Sequence, residues 1–273
     1  MHRVATVTDF TILGGSGFIG TSLGKYLKAK GHSVFSPSRS EMNSLPHELG
    51  HVIYAVGLTG DFRQRLIETV DAHVNVLAKI ISDNKFSSFL YLSSTRVYSG
   101  VISDGAVNED APIPVRPGTD AVYDLSKLLG ESFCLMQDNH SVRVARLSNV
   151  YGCGQSKHTF LQMLIDEINE KGEVEIREAP VSGKDYVSVD DVLCALENIA
   201  LHGQERIYNI ASGELVTHEE LSKMLARLSG AKITFAEGGV VRRFPLISVE
   251  RLVNEFGWAP QSVLRGLDVF FRI

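Results

Sequence analysis

Tyr123 and Lys127 stand four residues apart in AVYDLSKLLGE, a stretch from Ala121 to Glu131 patterned as the opening turns of a helix. That spacing stacks two side chains on one helix face. An ammonium about 5 Å from a phenol, at an effective dielectric of about 20, favours the phenolate by roughly 3 kcal/mol, or about two pK units. A tyrosine so placed can serve as a general acid or base near neutral pH. Spacing alone does not select it, because Tyr26 and Lys30 in YLKAK repeat the pattern.

The surrounding elements decide between the two. Phe10 to Leu13 reads as a strand, followed by the glycine turn Gly14, Gly15, Ser16, Gly17 and a helix from about Phe18 to Lys30 that Gly31 ends. A GxGxxG-type turn that follows a strand and opens a helix lets backbone approach a pyrophosphate, which the helix N-terminus then binds. Tyr26 is two turns into that helix and is carried away from the sheet edge. Tyr123 follows FLYLSS, Phe89 to Ser94, a strand that ends in hydroxyls at the carboxyl edge where open α/β sheets place ligands. Ser94 is the natural partner of Tyr123.

Further short apolar runs at Ser33 to Ser36, Val52 to Val56, Ser88 to Ser93 and Val142 to Leu147 alternate with helical patterns at Phe62 to Asp83 and Val122 to Gln137. Such alternation predicts an α/β fold, a doubly wound Rossmann-type parallel sheet. Beyond Tyr151 the order is mixed, and Thr217 to Glu220 has capping-box spacing. The expected division is a dinucleotide-binding domain over 1–150, with 181–211 returning to it, and a smaller mixed α/β substrate-binding lobe from 151–180 and 212–273.

An acidic residue at the end of the second strand grips ribose hydroxyls in the NAD version of this fold. Here the stretch is Phe35-Ser36-Pro37-Ser38-Arg39. The Ser38 hydroxyl and Arg39 guanidinium suit a 2′-phosphate, with no carboxylate to repel it, so NADP(H) is favoured and NAD(H) stays open.

Composition excludes other classes. A net charge of −5, with no basic run longer than Arg242-Arg243, argues against a nucleic-acid partner. No apolar run approaches a membrane span or signal-peptide core, so the expectation is a cytoplasmic protein without a membrane partner. Cys134, Cys153 and Cys194 have neither disulfide-framework nor zinc spacing. His47 and His51 are four apart, but Pro46 and Gly50 break the segment and no third ligand is near, so no metal is expected. The other histidines read as surface or satisfied core residues.

The ordered motifs together resemble the extended short-chain dehydrogenase/reductase family of nucleotide-sugar epimerases, dehydratases and reductases. They are Gly14, Gly17 and Gly20; Asn75 in HVNVLAKII; SSTRVY, Ser93 to Tyr98; Tyr123 and Lys127; RLSNVYG, Arg146 to Gly152; KDYVSVDDV from Lys184; YNIASGE from Tyr208; and FGWAP from Phe256. The resemblance implies Tyr123 as catalytic acid/base, Lys127 as ribose ligand that lowers the phenol pKa, and Ser94 on the reacting sugar oxygen. It adds Phe18, Ile19, Val56, Gly57, Asn75 and Leu92 to the cofactor contacts. Thr95, Asn149, Lys184 and one of Arg242 and Arg243, taken as Arg243, are the implied contacts to the nucleotide-sugar substrate.

Departures narrow the reaction. The 4,6-dehydratases carry an Asp-Glu pair where this chain has Thr95 and Arg96, which argues against water elimination. The second-strand stretch resembles the NADP-dependent 4-keto-sugar reductases, whereas SSTRVY and RLSNVYG resemble the epimerases. The expectation is an NADP(H)-dependent reductase of a nucleotide-linked 4-keto-(6-deoxy)sugar in polysaccharide precursor synthesis. The alternatives are a 4-epimerase with tightly bound NAD(P) and, from another class, a non-catalytic NADP(H)-binding regulatory protein. The resemblance also implies a homodimer that pairs the Tyr123 helix with the Phe62 to Asp83 helix, where Leu66, Val70, Val74 and Leu77 recur at helical spacing but suit packing on the sheet equally well.

Overall fold

A computed structural model describes residues 8–58, 62–118 and 121–271. In chain order the elements are β1 (Asp9–Leu13), α1 (Phe18–Ala29), β2 (Ser33–Phe35), β3 (His51–Tyr54), α2 (Leu66–Val70), α3 (Val76–Asp83), β4 (Ser88–Ser94), α4 (Ala121–Leu135), β5 (Val142–Leu147), β6 (Asn149–Tyr151), α5 (Phe160–Lys171), β7 (Glu173–Glu178), β8 (Gly183–Lys184), β9 (Tyr186–Ser188), α6 (Val189–His202), β10 (Ile207–Ile210), β11 (Val216–Thr217), α7 (His218–Ser229), β12 (Lys232–Val240), α8 (Glu250–Phe256) and α9 (Val263–Gly266).

Six strands join in the order β10-β5-β4-β3-β1-β2, with β1 parallel to β2 and β3, and β3 parallel to β4. From β1 the chain winds to β2 on one side and to β3 and beyond on the other. The carboxyl ends of β1 and β3 therefore border a topological switch point, where open α/β sheets bind ligands. Strands covered on both faces read as continuous apolar runs. Ile12, Leu13, Val52, Ile53, Tyr54, Phe89 and Tyr91 accordingly have no measurable exposure. These residues make the doubly wound Rossmann-type sheet that the alternation predicts.

The chain divides into two units: Met1–Val97 with Val115–Arg146 and Leu193–Tyr208, and Tyr98–Pro114 with Leu147–Val192 and Asn209–Ile273. The second unit holds the strand pairs β6/β9, β7/β12 and β8/β11. Its own core includes Tyr151, Leu161, Ile165, Ile176, Tyr186 and Leu225. Within it α7 opens on the Thr217 and Glu220 capping box, both reciprocal bonds being formed.

The segment expected as one helical run over Phe62 to Asp83 is interrupted. A 3₁₀ turn at Phe62–Gln64 precedes α2, and a π-helical turn at Asp71–Asn75 separates α2 from α3. The widened turn lies against α4, where the His73 carbonyl accepts from the Tyr91 hydroxyl at 3.3 Å. A Cβ on Gly130 of α4 would stand 2.6 Å from that carbonyl oxygen, so only glycine allows the approach. Of the four apolar positions proposed for dimerisation, Leu77 is fully buried and faces the core, whereas Leu66 and Val70 are 43% and 36% exposed. Ile67 and Leu129 are exposed apolar residues that the spacing argument did not select.

Candidate active site

The glycine turn sits at the switch point. Gly14 has φ +89°, and a Cβ there would lie 2.7 Å from the Ala55 carbonyl, so β1 and β3 approach here only because the residue is glycine. A Cβ at Gly20 would meet the Gly14 oxygen at 2.3 Å, which fixes how tightly α1 starts against the turn. Gly17, the N-cap residue of α1, makes no side-chain cap. The first amides of α1, those of Phe18, Ile19 and Gly20, lack intrahelical partners and can bind a phosphate.

Tyr123 and Lys127 lie on the inner face of α4, with 5% and 4% of their surface exposed. Lys127 Nζ donates to the Leu92 carbonyl at 2.8 Å and stands 5.0 Å from the centre of the Tyr91 ring. Burial brings the Lys127 ammonium down to about 7, opposed by Glu131. Burial also pushes the Tyr123 phenol up to about 12, while a hydrogen bond with Ser94 and the charge of Arg96 pull the other way. Ser94, Tyr123 and Lys127 are thus in one place, but the cation facing the phenol differs from the one the helix spacing implied. The Arg96 guanidinium lies 5.4 Å from the Tyr123 ring centre and 5.1 Å from that of Phe62. Asp124 holds it through Arg96 Nε at 2.9 Å, and the Arg96 amide donates to Ser94 Oγ at 3.2 Å.

Buried polar contacts set the pose of α4. Arg146 on β5 binds both Glu131 carboxylate oxygens at 2.6–3.1 Å, and Ser93 donates to the same carboxylate. Such a pair costs desolvation yet is costly to break, so it fixes orientation more than it adds stability. Ser126 Oγ donates to the Tyr123 carbonyl at 2.9 Å and lies 2.8 Å from His73 Nδ1.

Other expected contacts fall differently. Val56 and Gly57 follow β3, and a Cβ on Gly57 would lie 3.5 Å from Lys127 Nζ. Asn75 is exposed at the end of the π turn, its amide donating to Asp71. Thr95 is half-buried in the 3₁₀ turn Thr95–Tyr98. Ser38 and Arg39 are exposed after β2, but the turn is not free of carboxylate as the sequence suggested: Glu41 accepts from the Ser38 amide at 2.7 Å. Tyr26 donates to Glu197 at 2.7 Å, and Glu197 also binds His32, so that second tyrosine is a structural residue.

In the second unit, Asn149 is exposed and donates to the Asp185 carbonyl at 2.8 Å. The Asp185 carboxylate gathers the amides of Ser212, Gly213 and Glu214 and the Ser148 hydroxyl, bracing that turn. Lys184 Nζ lies 4.0 Å over the Phe160 ring and 3.9 Å from Glu178, and Arg242 Nε reaches the same carboxylate at 3.1 Å. Arg242 is therefore the arginine that shares the Lys184 cluster, and Arg243 is exposed beyond it.

Arg96 entered the sequence reading only as a departure from the dehydratase pair, and Asp124, His73 and Ser126 escaped it, since no periodicity distinguishes them from surface residues. Among the described residues, no three His, Cys, Asp or Glu side chains converge as a metal site, and no helix is long and apolar enough to cross a membrane.

A family model, the NAD dependent epimerase/dehydratase family, matches residues 10–211. The chain is similar to a dTDP-glucose 4,6-dehydratase of Streptomyces griseus, at 29% identity over 64% of this chain and 54% of that one, about half of the dehydratase's length. It is also similar to a dTDP-4-dehydro-6-deoxyglucose reductase of Escherichia coli, at 26% identity over 76% of this chain and 67% of the other. The solved structure of RMD from Pseudomonas aeruginosa complexed with NADPH superposes with a TM-score of 0.78 at 25% identity, covering 97% of this chain and 98% of that one. With its glycine turn at the switch point and Ser94, Tyr123 and Lys127 gathered beside it, the chain belongs to the NAD dependent epimerase/dehydratase family.

Proposed function

We propose that the protein reduces the keto group of a nucleotide-linked 4-keto-(6-deoxy)sugar with NADPH, NADH being the second choice of cofactor. The observation that carries this reading is that Ser94 is hydrogen-bonded to Tyr123, with Lys127 one turn along α4 and against Gly57 of the loop after β3. Similarity to a dTDP-4-dehydro-6-deoxyglucose reductase and to an NADPH-bound structure supports it.

When bound, the dihydronicotinamide supplies a hydride to the sugar carbonyl carbon. Lys127 uses donors left free by Leu92 to hold the nicotinamide ribose. Ser94 hydrogen-bonds the carbonyl oxygen, and Tyr123 delivers its phenolic proton to that oxygen as negative charge develops there. A phenol whose pKa burial pushes up to about 12 is protonated and starts as a proton donor. That start suits ketone reduction, whereas an epimerase must first remove a proton from an alcohol. Asn149, Lys184 and Arg242 are assigned to the substrate diphosphate, with Thr95 near the sugar. The 1–150 segment is assigned to the cofactor and the C-terminal lobe to the substrate.

Incubation with a panel of nucleotide-4-keto-6-deoxy sugars and NADPH tests the reading. Stoichiometric NADPH oxidation with one of them is the expected result. Isomer formation without net cofactor change makes the protein an epimerase. Binding of NADPH without turnover of any sugar makes it a regulatory protein. The exposed apolar residues Leu66, Ile67 and Val70 of α2 and Leu129 of α4 support a homodimer, assigned to the cytoplasm with its nucleotide-sugar substrate; light scattering at micromolar concentration should give twice the chain mass, and a monomer rejects it.

A further inference from the structure

His73 is fully buried, yet its Nε2 has no hydrogen-bond partner. Buried polar nitrogens are almost always paired, because leaving one unpaired forfeits its hydration. The tautomer follows from the neighbours. The one proton of Ser126 Oγ goes to the Tyr123 carbonyl, so Ser126 accepts from His73, whose Nδ1 carries the hydrogen. Nε2 is then a bare lone pair. It faces the place where Lys127 ends: a Cβ built on Gly57 would lie 3.2 Å from His73 Nε2 and 3.5 Å from Lys127 Nζ. Gly57 itself is exposed, so this buried pair of nitrogens abuts a surface that a ligand can reach. The opposite tautomer would point an N–H at the ammonium, which is electrostatically unfavourable.

We propose that His73 is a positioning residue for Lys127, its Nε2 accepting from the ammonium through one water and aiming the remaining donors at the backbone of Gly57, where the nicotinamide ribose would lie. The ribose destination rests on the proposed cofactor role of Lys127; the His73 and Lys127 relationship does not. Burial and the Lys127 charge hold the imidazole down at about 2, so it remains a neutral acceptor at working pH. The groups facing Lys127 are few. From α4 come Glu131 and Cys134, with the Glu131 charge largely spent on Arg146. From β4 come the Leu92 carbonyl and the Tyr91 ring. The π turn contributes His73 and the loop after β3 contributes Gly57. A neutral acceptor favours the ammonium over the amine, so its removal lowers the Lys127 pKa.

Two variants separate positioning from packing. In His73→Asn the amide nitrogen reaches the Nδ1 position, keeping the bond to Ser126 and losing the Nε2 acceptor. In His73→Gln the amide oxygen reaches the Nε2 position and the Ser126 bond is lost. Lys127 is titrated in the cofactor-free protein by NMR of its Nζ, assigned through Lys127→Met, and NADPH and NADH dissociation constants are measured from pH 6 to 9 by fluorescence. His73→Asn should lower the Lys127 midpoint by about one unit and weaken cofactor binding about tenfold at pH 8, while His73→Gln should stay near wild type in both. Unchanged Lys127 titration in His73→Asn, or equal shifts in both variants, overturns the proposal. If wild type binds neither nucleotide, the cofactor role of Lys127 fails, and the NMR titration alone still decides whether His73 positions it.

Discussion

The Arg96 guanidinium lies 5.4 Å from the centre of the Tyr123 ring, and Asp124, next to Tyr123 in sequence, keeps it there through a 2.9 Å ion pair. The cation that faces the phenol thus comes from the 3₁₀ turn after β4. Lys127, one turn along α4, instead donates to the Leu92 carbonyl. The electrostatic task that helix spacing assigned to Lys127 therefore falls to Arg96.

Arg96→Leu should raise the phenol pKa, because the charge that favours phenolate is gone. A rate that needs phenolate then falls while one that needs phenol is spared. At pH 9 the reverse oxidation of the product alcohol should drop roughly tenfold, the worth of about one pK unit. Reduction at pH 7 should change less than threefold on the same scale, and Arg96→Lys should recover part of the loss. Equal losses in both directions would assign Arg96 to packing.

Lys127→Met should separate stability from function. The folded-state ammonium titrates at about 7, against an ordinary 10.5, so between those values the unfolded chain binds a proton that the folded chain has lost. Stability from this group therefore rises with pH across that window, and the full cost of the buried charge is felt below about pH 7. Removing it should stabilise the protein by on the order of 3 kcal/mol at pH 6, after the lost Leu92 hydrogen bond is counted, and by almost nothing at pH 10. Thermal unfolding at the two pH values, beside NADPH titration showing lost affinity, checks both halves.

Tyr123→Phe keeps the ring against Phe62 and Arg96 and removes only the hydroxyl. Turnover should fall by roughly 10²- to 10⁴-fold with NADPH affinity nearly unchanged. Tyr26→Phe removes a donor to Glu197, which retains His32. It should cost about 1 kcal/mol of stability and leave turnover intact. Steady-state kinetics with denaturant melts distinguish the two tyrosines, and full activity in Tyr123→Phe would make its pairing with Lys127 a packing contact.

Cofactor choice should respond to two opposed charges after β2. Arg39→Asp removes a partner for a 2′-phosphate and supplies a ribose acceptor, so the NADPH to NADH affinity ratio should fall at least tenfold, about 1.4 kcal/mol. Glu41→Gln removes the carboxylate held on the Ser38 amide and should shift the ratio toward NADPH. Opposite or absent shifts in fluorescence titrations would show that the 2′ position lies elsewhere.

The sheet was legible in the sequence, because strands buried on both faces write themselves as short apolar runs, and Gly14 and Gly20 mark approaches that any Cβ would block. Tyr123, Lys127 and Ser94 were legible too, through helix spacing and a strand ending in hydroxyls. Tertiary structure alone decided which cation faces the phenol, since the 3₁₀ turn at Arg96 and the register of Asp124 on α4 leave no periodic trace. It also placed Glu41 on the Ser38 amide, where chain order had suggested a turn without carboxylate. His73 is the sharpest case. Its burial beside Lys127 depends on a π turn that inserts one residue into a helical run, and helix-period reasoning carries every later side chain past the face it takes in the fold.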